Sequence, residues 1–316
     1  MSSDPQGAAL YRSVNESVFS LYAEGQHAPA LAVIDRNRER LAAWDAELAL
    51  LAACLKGALG STEEALGELV AAAGRGGWWD PRVLAEDDDL AGLRGSAEFQ
   101  QLLEGCGERW RAENATSCRS GDVVVAAGSP SMVLMALHGA EEDAVEAAAA
   151  WGPAAGEAGA ALLAVRSSQR TSPRYRSWPD HDRAKQEVVD AWSQLPDALR
   201  DLPVVVAGFS AGARVALRLA LEPSALPVSA VLAAAPAISV ADLSQVPEAA
   251  TSSGRTWIGA DDDLLHQVEG TRSRLAGAGL EIEVLPHLGH ALPPDHTSRV
   301  VSALRQLAPL MRTHLP

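Results

Sequence analysis

A serine between two glycines follows an apolar run and precedes a stretch rich in Ala and Leu. Residues 204–212 read VVVAGFSAG, which places Ser210 at the centre of a G-x-S-x-G pentapeptide. The apolar run predicts a buried strand and the next stretch predicts a helix, so the serine would stand on the tight turn of a nucleophile elbow. Ser210 is therefore the candidate nucleophile. The alternative is a glycine-rich turn of a nucleotide-binding fold, but the sequence has no G-x-G-x-x-G or Walker pattern to support it.

A serine hydroxyl at its ordinary pKa needs a base to become a nucleophile, and the base needs a third group to orient it. His290 is the best candidate for the base, because it follows a strand-like run in the sequence PHLGH, where Gly289 permits a tight loop. His287 is its competitor. His266 is expected to lie on an exposed helix face.

Three adjacent aspartates, Asp261–Asp263, follow the strand-like run that ends in TWIGA. Ligands and catalytic groups gather at the carboxyl ends of parallel strands, so this is a suitable place for the orienting acid. The three carboxylates cannot all point inward. Asp262 is the predicted acid, three residues after Gly259, and its two neighbours are expected to cap the next helix or to lie in its first turn.

Two backbone N–H groups are needed to stabilise the oxyanion that forms when the serine attacks. Ala211, directly after Ser210, would supply one of them. The loop after the run 132–137 reads HGAE, which resembles the His-Gly turn of the α/β-hydrolases, and this resemblance implies that Ala140 supplies the second. His138, at the start of this loop, is expected to hold the loop in place and not to act as a second base.

The elements that position these residues alternate between strands and helices after about residue 118. Buried strands that alternate with helices predict a mostly parallel α/β sheet with helices on both faces. The predicted strands are 123–127, 132–137, 161–165, 203–207, 229–233, 255–258 and 281–285. The predicted helices are 141–151, 184–195, 211–221, 264–276 and 297–310.

The first part of the chain predicts helices only, at 8–25, 28–43, 45–59 and 62–74. A pattern of Gly followed by Ala-Leu at Gly25 recurs at Gly60, about 35 residues later, close to the ~34-residue period of a tetratricopeptide helical hairpin. We therefore expect two domains. An all-α, tetratricopeptide-like domain would span residues 1–118, and an α/β domain would span residues 119–316. The alternative for the first domain is a generic helical bundle.

Composition and charge narrow the possible functions. The chain has 316 residues and a net charge of −15, from 41 acidic and 26 basic side chains, so binding of nucleic acid through bulk charge is not expected. Its three cysteines form no C-x-x-C pair, and neither a metal nor another cofactor is predicted. No apolar run reaches the ~18 residues of a membrane span, and the first residues are unlike a signal peptide, which favours a cytoplasmic protein.

Four motifs, HGA, GFSAG, GADD and LGHAL, occur in this order. Through them, residues 122–316 resemble the α/β-hydrolase superfamily. The sequence RSSQ at 166–169, followed by RSWPD at 176–180, is similar to the carboxylesterase and phospholipase-like branch. The resemblance implies an α/β-hydrolase fold and a triad of Ser210, His290 and Asp262. It does not extend to the helical first part.

Together these residues predict a serine hydrolase that cleaves an ester or thioester of a small or acyl substrate through an acyl-enzyme. Acyl transfer, cyclisation or peptide cleavage by the same triad are alternatives. A different class of function is an interaction module, whose helical domain binds a protein partner or a second copy of the chain.

Six cations lie close together between Arg166 and Lys185. They could recognise a carboxylate or phosphate on the substrate. The alternative is a solvated loop that balances the charge of an acidic protein. Arg176 and Trp178 are the candidate substrate contacts in this segment.

Overall fold

The computed structural model describes residues 5–116, 122–125 and 128–311. The chain divides into two compact units. The first contains residues Met1–Ser117 together with Arg170–Tyr175, and the second contains Cys118–Gln169 and Arg176–Pro316. The boundary predicted between residues 118 and 119 lies outside the described residues.

In its described residues the first unit contains six α-helices. They are α1 (Pro5–Ala23), α2 (His27–Asn37), α3 (Asp45–Ala58), α4 (Thr62–Gly74), α5 (Pro81–Glu86) and α6 (Ala97–Thr116). The predicted second helix was too long, because α2 ends at Asn37 and the chain turns before a short 3-10 helix at Ala42–Trp44. At this turn the side chain of Leu41 is buried, which fixes the change of direction.

The repeat seen in the sequence is also a repeat of backbone geometry. Gly25 and Gly60 both have positive φ, 70° and 76°. In each case the next residue donates its N–H to a carbonyl five residues back, from Gln26 to Leu21 and from Ser61 to Lys56, both at 2.8 Å. Glycine adopts this conformation without a side-chain clash, which is why it ends helices in this way. The assignment to the tetratricopeptide class stays a prediction.

Two clusters of buried side chains form the core of the first unit. One lies around α3–α6 and includes the fully buried Phe99 and Leu69. The other lies around α1–α3 and includes Ile34, Val18 and Tyr175. The first unit therefore takes part of its core from the short segment Arg170–Tyr175, about 50 residues beyond its last helix.

The second unit is built on seven strands. They are β1 (Val123–Val125), β2 (Val133–Leu137), β3 (Ala161–Val165), β4 (Val204–Phe209), β5 (Val228–Ala234), β6 (Gly254–Gly259) and β7 (Leu280–Leu285). Their order across the sheet is β1-β3-β2-β4-β5-β6-β7. β1 pairs with β3 in antiparallel orientation and the other pairs are parallel. Seven strands were predicted, although the last two residues of the first predicted strand lie outside the described residues.

Helices cover the sheet on both faces. They are α7 (Ala144–Ala158), α8 (His181–Ser193), α9 (Asp197–Arg200), α10 (Ser210–Leu221), α11 (Leu265–Gly277) and α12 (His296–Met311). Alternate residues of β2 enter two separate clusters: Met135 packs with residues of α8, α10 and α11, whereas Leu134 packs with residues of α7 and α12. The predicted α/β class is confirmed. All of the described helices are too short or too polar to cross a membrane.

The loop between β2 and α7 stays free of helix. A helix was predicted from residue 141, but α7 begins at Ala144. Glu141 has a φ of 64°, which is incompatible with a right-handed helix. Asp143 then caps α7 by accepting the N–H of Val145, and Glu146 completes a capping box. Residues 138–143 therefore form an open loop at the carboxyl end of β2.

Truncating a core residue of β2 should cost much more stability than truncating a residue at the sheet edge. Leu134 is fully buried, whereas Val124 in β1 is 52% exposed. We expect Leu134→Ala to lower the free energy of unfolding of the second unit by about 2–5 kcal/mol, and Val124→Ala to change it by less than about 1 kcal/mol. Urea unfolding followed by circular dichroism measures both. Equal losses would contradict this description of the sheet.

Candidate active site

Ser210 stands at the turn where β4 ends and α10 begins. Its φ is 50°, a left-handed conformation that is strained for a serine. A Cβ on Gly208 would lie 2.5 Å from the carbonyl oxygen of Gly212, and one on Gly212 would overlap the carbonyl groups of Leu137 and His138. The two glycines of the pentapeptide are therefore needed for the strand and helix to approach this closely. The residue itself is buried, with 8% of its surface exposed.

His290 and Asp262 complete a line of hydrogen bonds with this serine. His290 Nε2 lies 2.9 Å from Ser210 Oγ, and His290 Nδ1 lies 2.9 Å from Asp262 Oδ2. The second carboxylate oxygen of Asp262 accepts the N–H of Leu264 at 2.8 Å. The Asp262 side chain has no exposed surface, while that of His290 is 36% exposed. The Asp262 carboxylate is thus buried and held in place, whereas the His290 imidazole is partly accessible to solvent.

The loops that carry the acid and the histidine are joined to each other. Asp261 donates its N–H to the carbonyl of Leu288 at 2.9 Å. A Cβ on Gly259 would overlap the same Leu288 carbonyl, so this glycine permits the close approach. The competing candidates Asp261, Asp263, His266 and His287 are exposed, and their side chains take no part in these hydrogen bonds. Among the sequence candidates, the structure brings Asp262 and His290 to Ser210.

The two predicted oxyanion donors lie in the loop after β2 and in the first turn of α10. In the loop after β2, Gly139 donates its N–H to Glu142 Oε2 at 2.7 Å, and Glu141 donates its N–H to the carbonyl of Arg176 at 2.9 Å. Between them, the N–H of Ala140 has no acceptor among the described residues. The N–H of Ala211 lies in the first turn of α10, where helical N–H groups have no intrahelical acceptor.

His138 is buried at the start of this loop. Its Nδ1 lies 2.7 Å from the carbonyl of Gly139, and Ser167 donates its N–H to Nε2 at 3.2 Å. These partners fit a neutral ring that carries its proton on Nδ1. Burial lowers the pKa of His138 from 6.5 to about 4. The residue therefore joins the β2 loop to the β3 loop as a neutral hydrogen-bonding group.

Trp178, which the sequence predicts as a substrate contact, lies instead in the protein core. Its side chain is fully buried. The indole N–H donates to the carbonyl of His138 at 2.8 Å, and Arg214 donates to the carbonyl of Trp178 at 2.6 Å. An indole with no exposed surface packs well because its N–H has an acceptor inside the core. Trp178 thus holds the loop after β2 in place through its hydrogen bond to His138.

Arg176 is half-buried beside the same loop. Its Nη1 donates to the carbonyl of Ser167 at 2.8 Å. The structure shows the guanidinium hydrogen-bonded within the protein. A contact of Arg176 with substrate stays a prediction.

The other cations of this segment also have partners within their own units. Their acidic and aromatic partners, with the distances, are Asp143 for Arg166 (2.6 Å), Glu113 for Arg170 (3.3 Å), the Trp44 ring for Arg174 (4.7 Å), Glu187 for Arg183 (3.3 Å) and Glu222 for Lys185 (3.9 Å). These cations therefore interact with acidic and aromatic groups of the protein itself, and recognition of an anionic substrate by the segment stays a prediction.

Two residues that shape the site, Glu142 and Glu187, could not be identified from the sequence. Glu142 holds Gly139 and so leaves Ala140 as the exposed amide of the loop. Glu187 on α8 accepts hydrogen bonds from the hydroxyl of Ser167 and from the N–H of Ser168. Burial raises the pKa of Glu142. Both acids occur in stretches rich in charge, and only the tertiary structure distinguishes them from surface residues.

One group of possible metal ligands lies in the first unit. The Sγ of Cys54 and carboxylate oxygens of Asp87 and Asp89 are within 4.8 Å of one another. Cys54 Sγ donates to Asp87 at 3.4 Å, and the hydroxyl of Tyr22 donates to Asp89 at 2.8 Å. Each of the three side chains therefore has a hydrogen-bond partner within the protein.

Comparisons with known proteins agree with this architecture. Residues 10–115 match the family model described as the A/B hydrolase-like N-terminal domain. An uncharacterised protein from Bacillus cereus ATCC 10987 is 23% identical, with a TM-score of 0.51 over 94% of this chain and 98% of that chain. Its fold is therefore similar across both units. No curated protein matches the sequence significantly.

Two further solved structures are similar to part of the chain. The Bacillus cereus carboxylesterase is 18% identical, with a TM-score of 0.47, and covers 63% of this chain and 97% of its own. Acyl-protein thioesterase 2 from Zea mays is 16% identical, with a TM-score of 0.46, and covers 60% of this chain and 99% of its own.

The buried His138 should make stability depend on pH. Its pKa of about 4 in the folded protein lies below the ordinary 6.5. The unfolded chain therefore binds more protons between these values, and stability falls as pH drops from 6.5 to 4. We expect His138 to contribute about 3 kcal/mol to this loss.

His138→Gln removes this titration, so its free energy of unfolding should fall less steeply with pH than that of the wild type. Urea unfolding at several pH values measures the slope. The exposed His287→Gln serves as the control and should keep the wild-type slope. An unchanged slope in His138→Gln would contradict the neutral, buried ring.

Proposed function

We propose that the chain is a member of the α/β-hydrolase superfamily and that it is a serine hydrolase that cleaves a carboxylic ester or thioester. The observation that carries this proposal is the line of two 2.9 Å hydrogen bonds from Ser210 Oγ through the His290 ring to Asp262 Oδ2. A serine, a histidine and a buried carboxylate in this order form the constellation that activates a hydroxyl for attack on a carbonyl.

In the proposed acylation step, Ser210 Oγ attacks the substrate carbonyl carbon while His290 Nε2 takes its proton. Asp262 accepts the Nδ1–H of His290, holds the ring in the required tautomer and stabilises the imidazolium. The negative oxygen of the tetrahedral intermediate is bound by the N–H groups of Ala140 and Ala211. The intermediate then expels an alcohol or thiol, which takes its proton from His290.

Deacylation repeats these steps with water as the nucleophile. The His290 side chain is 36% exposed, so a water molecule can reach the ring from solvent. His290 removes a proton from this water as it attacks the acyl-enzyme, and returns the proton to Ser210 as the carboxylic acid leaves. The reaction uses neither a metal nor an organic cofactor.

A fluorophosphonate probe tests whether Ser210 is an activated nucleophile. Such probes form a covalent bond with serines that have a functioning base, and we expect mass spectrometry to find the adduct on the peptide that contains Ser210. The variant Ser210→Ala should not react, while circular dichroism shows it to be folded. A folded wild type that stays unlabelled, or an adduct that persists in Ser210→Ala, would refute the proposal.

The assigned acid and base can be tested against their exposed neighbours. We expect Asp262→Asn to lower kcat for p-nitrophenyl acetate by on the order of 10⁴-fold, because the amide no longer holds the required histidine tautomer. His290→Gln should cause a loss at least as large. The matched controls Asp261→Asn and His287→Gln should stay within about threefold of wild type, as both side chains are exposed and outside the line of hydrogen bonds. If Asp261→Asn loses activity while Asp262→Asn keeps it, Asp261 is the acid. If His287→Gln loses activity while His290→Gln keeps it, His287 is the base.

A further inference from the structure

Glu47 on α3 is a buried carboxylate that the proposed reaction does not use. Only 2% of its surface is exposed. A buried carboxylate is costly unless hydrogen-bond donors replace its water. Two donors do so, and both reach the same oxygen: the hydroxyl of Ser172 lies 2.6 Å from Glu47 Oε1, and the N–H of Arg174 lies 2.9 Å from it. Both donors come from Arg170–Tyr175, the segment that is part of the first unit.

The rest of this segment is also held within the first unit. Asp80 donates its N–H to the carbonyl of Thr171 at 2.7 Å. Trp110 donates its indole N–H to the carbonyl of Arg170 at 2.9 Å. Tyr175 is 8% exposed and belongs to a core cluster of the helices. The segment has a defined conformation because its polar groups are hydrogen-bonded and its aromatic ring is buried.

The residue that follows this segment holds the loop after β2. The carbonyl of Arg176 accepts the N–H of Glu141 at 2.9 Å, and its guanidinium donates to the carbonyl of Ser167 at 2.8 Å. Glu141 has a φ of 64° and is bonded directly to Ala140, the proposed oxyanion donor. The direction of the Ala140 N–H therefore depends on where the chain places Arg176.

We propose that Glu47 is a positioning residue for the oxyanion-binding loop. Glu47 accepts hydrogen bonds from Ser172 and Arg174 and so fixes the segment Arg170–Tyr175. Arg176 follows this segment directly in the chain, so its position is fixed as well. The carbonyl of Arg176 in turn holds Glu141, the neighbour of Ala140. This inference rests on the proposed serine-hydrolase function. It gives the helical unit a part in catalysis, although Glu47 itself touches neither the substrate nor the reacting groups.

The test compares two substitutions of Glu47 in the full-length chain. Glu47→Leu keeps the volume but removes the acceptor, and we expect kcat for p-nitrophenyl acetate to fall about 10–100-fold, because a small displacement of a catalytic donor has effects of this size. KM should stay within about threefold. Glu47→Gln keeps an oxygen acceptor for both donors and should restore kcat to within about threefold of wild type.

Hydrogen exchange gives a second measurement that does not depend on activity. The amide of Glu141 should exchange faster in Glu47→Leu than in wild type, because its acceptor on Arg176 is displaced. The control is Leu69→Ala, which removes a fully buried side chain from the other core cluster of the first unit. It should lower stability but leave kcat and the exchange of Glu141 unchanged.

The failure of this inference can be distinguished from failure of the proposed function. If fluorophosphonate does not label wild-type Ser210, the function itself is wrong. If the wild type is labelled and active, the inference is overturned when folded Glu47→Leu keeps normal kcat and normal exchange of Glu141, or when Leu69→Ala loses as much kcat as Glu47→Leu.

If Glu47→Leu does not fold, Ser172→Ala replaces it. This variant removes one of the two hydrogen bonds and should lower kcat about threefold to tenfold, and an unchanged kcat would overturn the inference.

Discussion

The left-handed backbone of Ser210 sets the spacing of the elements around it. A serine with a φ of 50° is possible here because the residues two before and two after it have no side chain. α10 then packs directly against the end of β2, with Gly212 against the carbonyl groups of Leu137 and His138. The tight turn at Ser210 thus places the N-terminus of α10 and the Ser210 hydroxyl next to the loop after β2. Strain of this kind persists only where the surrounding packing enforces it.

Buried carboxylates give the loops around this turn their shape. Asp262, Glu187 and Glu47 are each less than a tenth exposed, and each accepts hydrogen bonds from the backbone of a loop. A loop has no strand or helix partners to satisfy its N–H groups, so a buried acid can do this at several points at once. Removing one partner would leave a charge without compensation. These buried acids therefore fix particular points of the loops around the turn.

The elements of the second unit could be predicted because their signals are local. Apolar runs mark the strands, and motifs at the strand ends mark Ser210, Asp262 and His290, which the structure brings together. Trp178 could not be placed correctly, because an aromatic side chain in a loop has the same local signal whether it faces a pocket or the core. The end of α2 and the roles of Glu142 and Glu187 also depend on residues distant in sequence, as does the inclusion of Arg170–Tyr175 in the first unit.

That inclusion also affects how the protein is made. Domains generally fold as units during synthesis, the N-terminal one first. Here the helices end at Thr116, but the first unit also needs Arg170–Tyr175. Until that segment leaves the ribosome, the carboxylate of Glu47 lacks Ser172 and Arg174, and the cluster around Ile34 lacks Tyr175. The first unit therefore completes its core only after β3 has been synthesised, and a nascent chain that stops between the two points carries an unfinished helical domain.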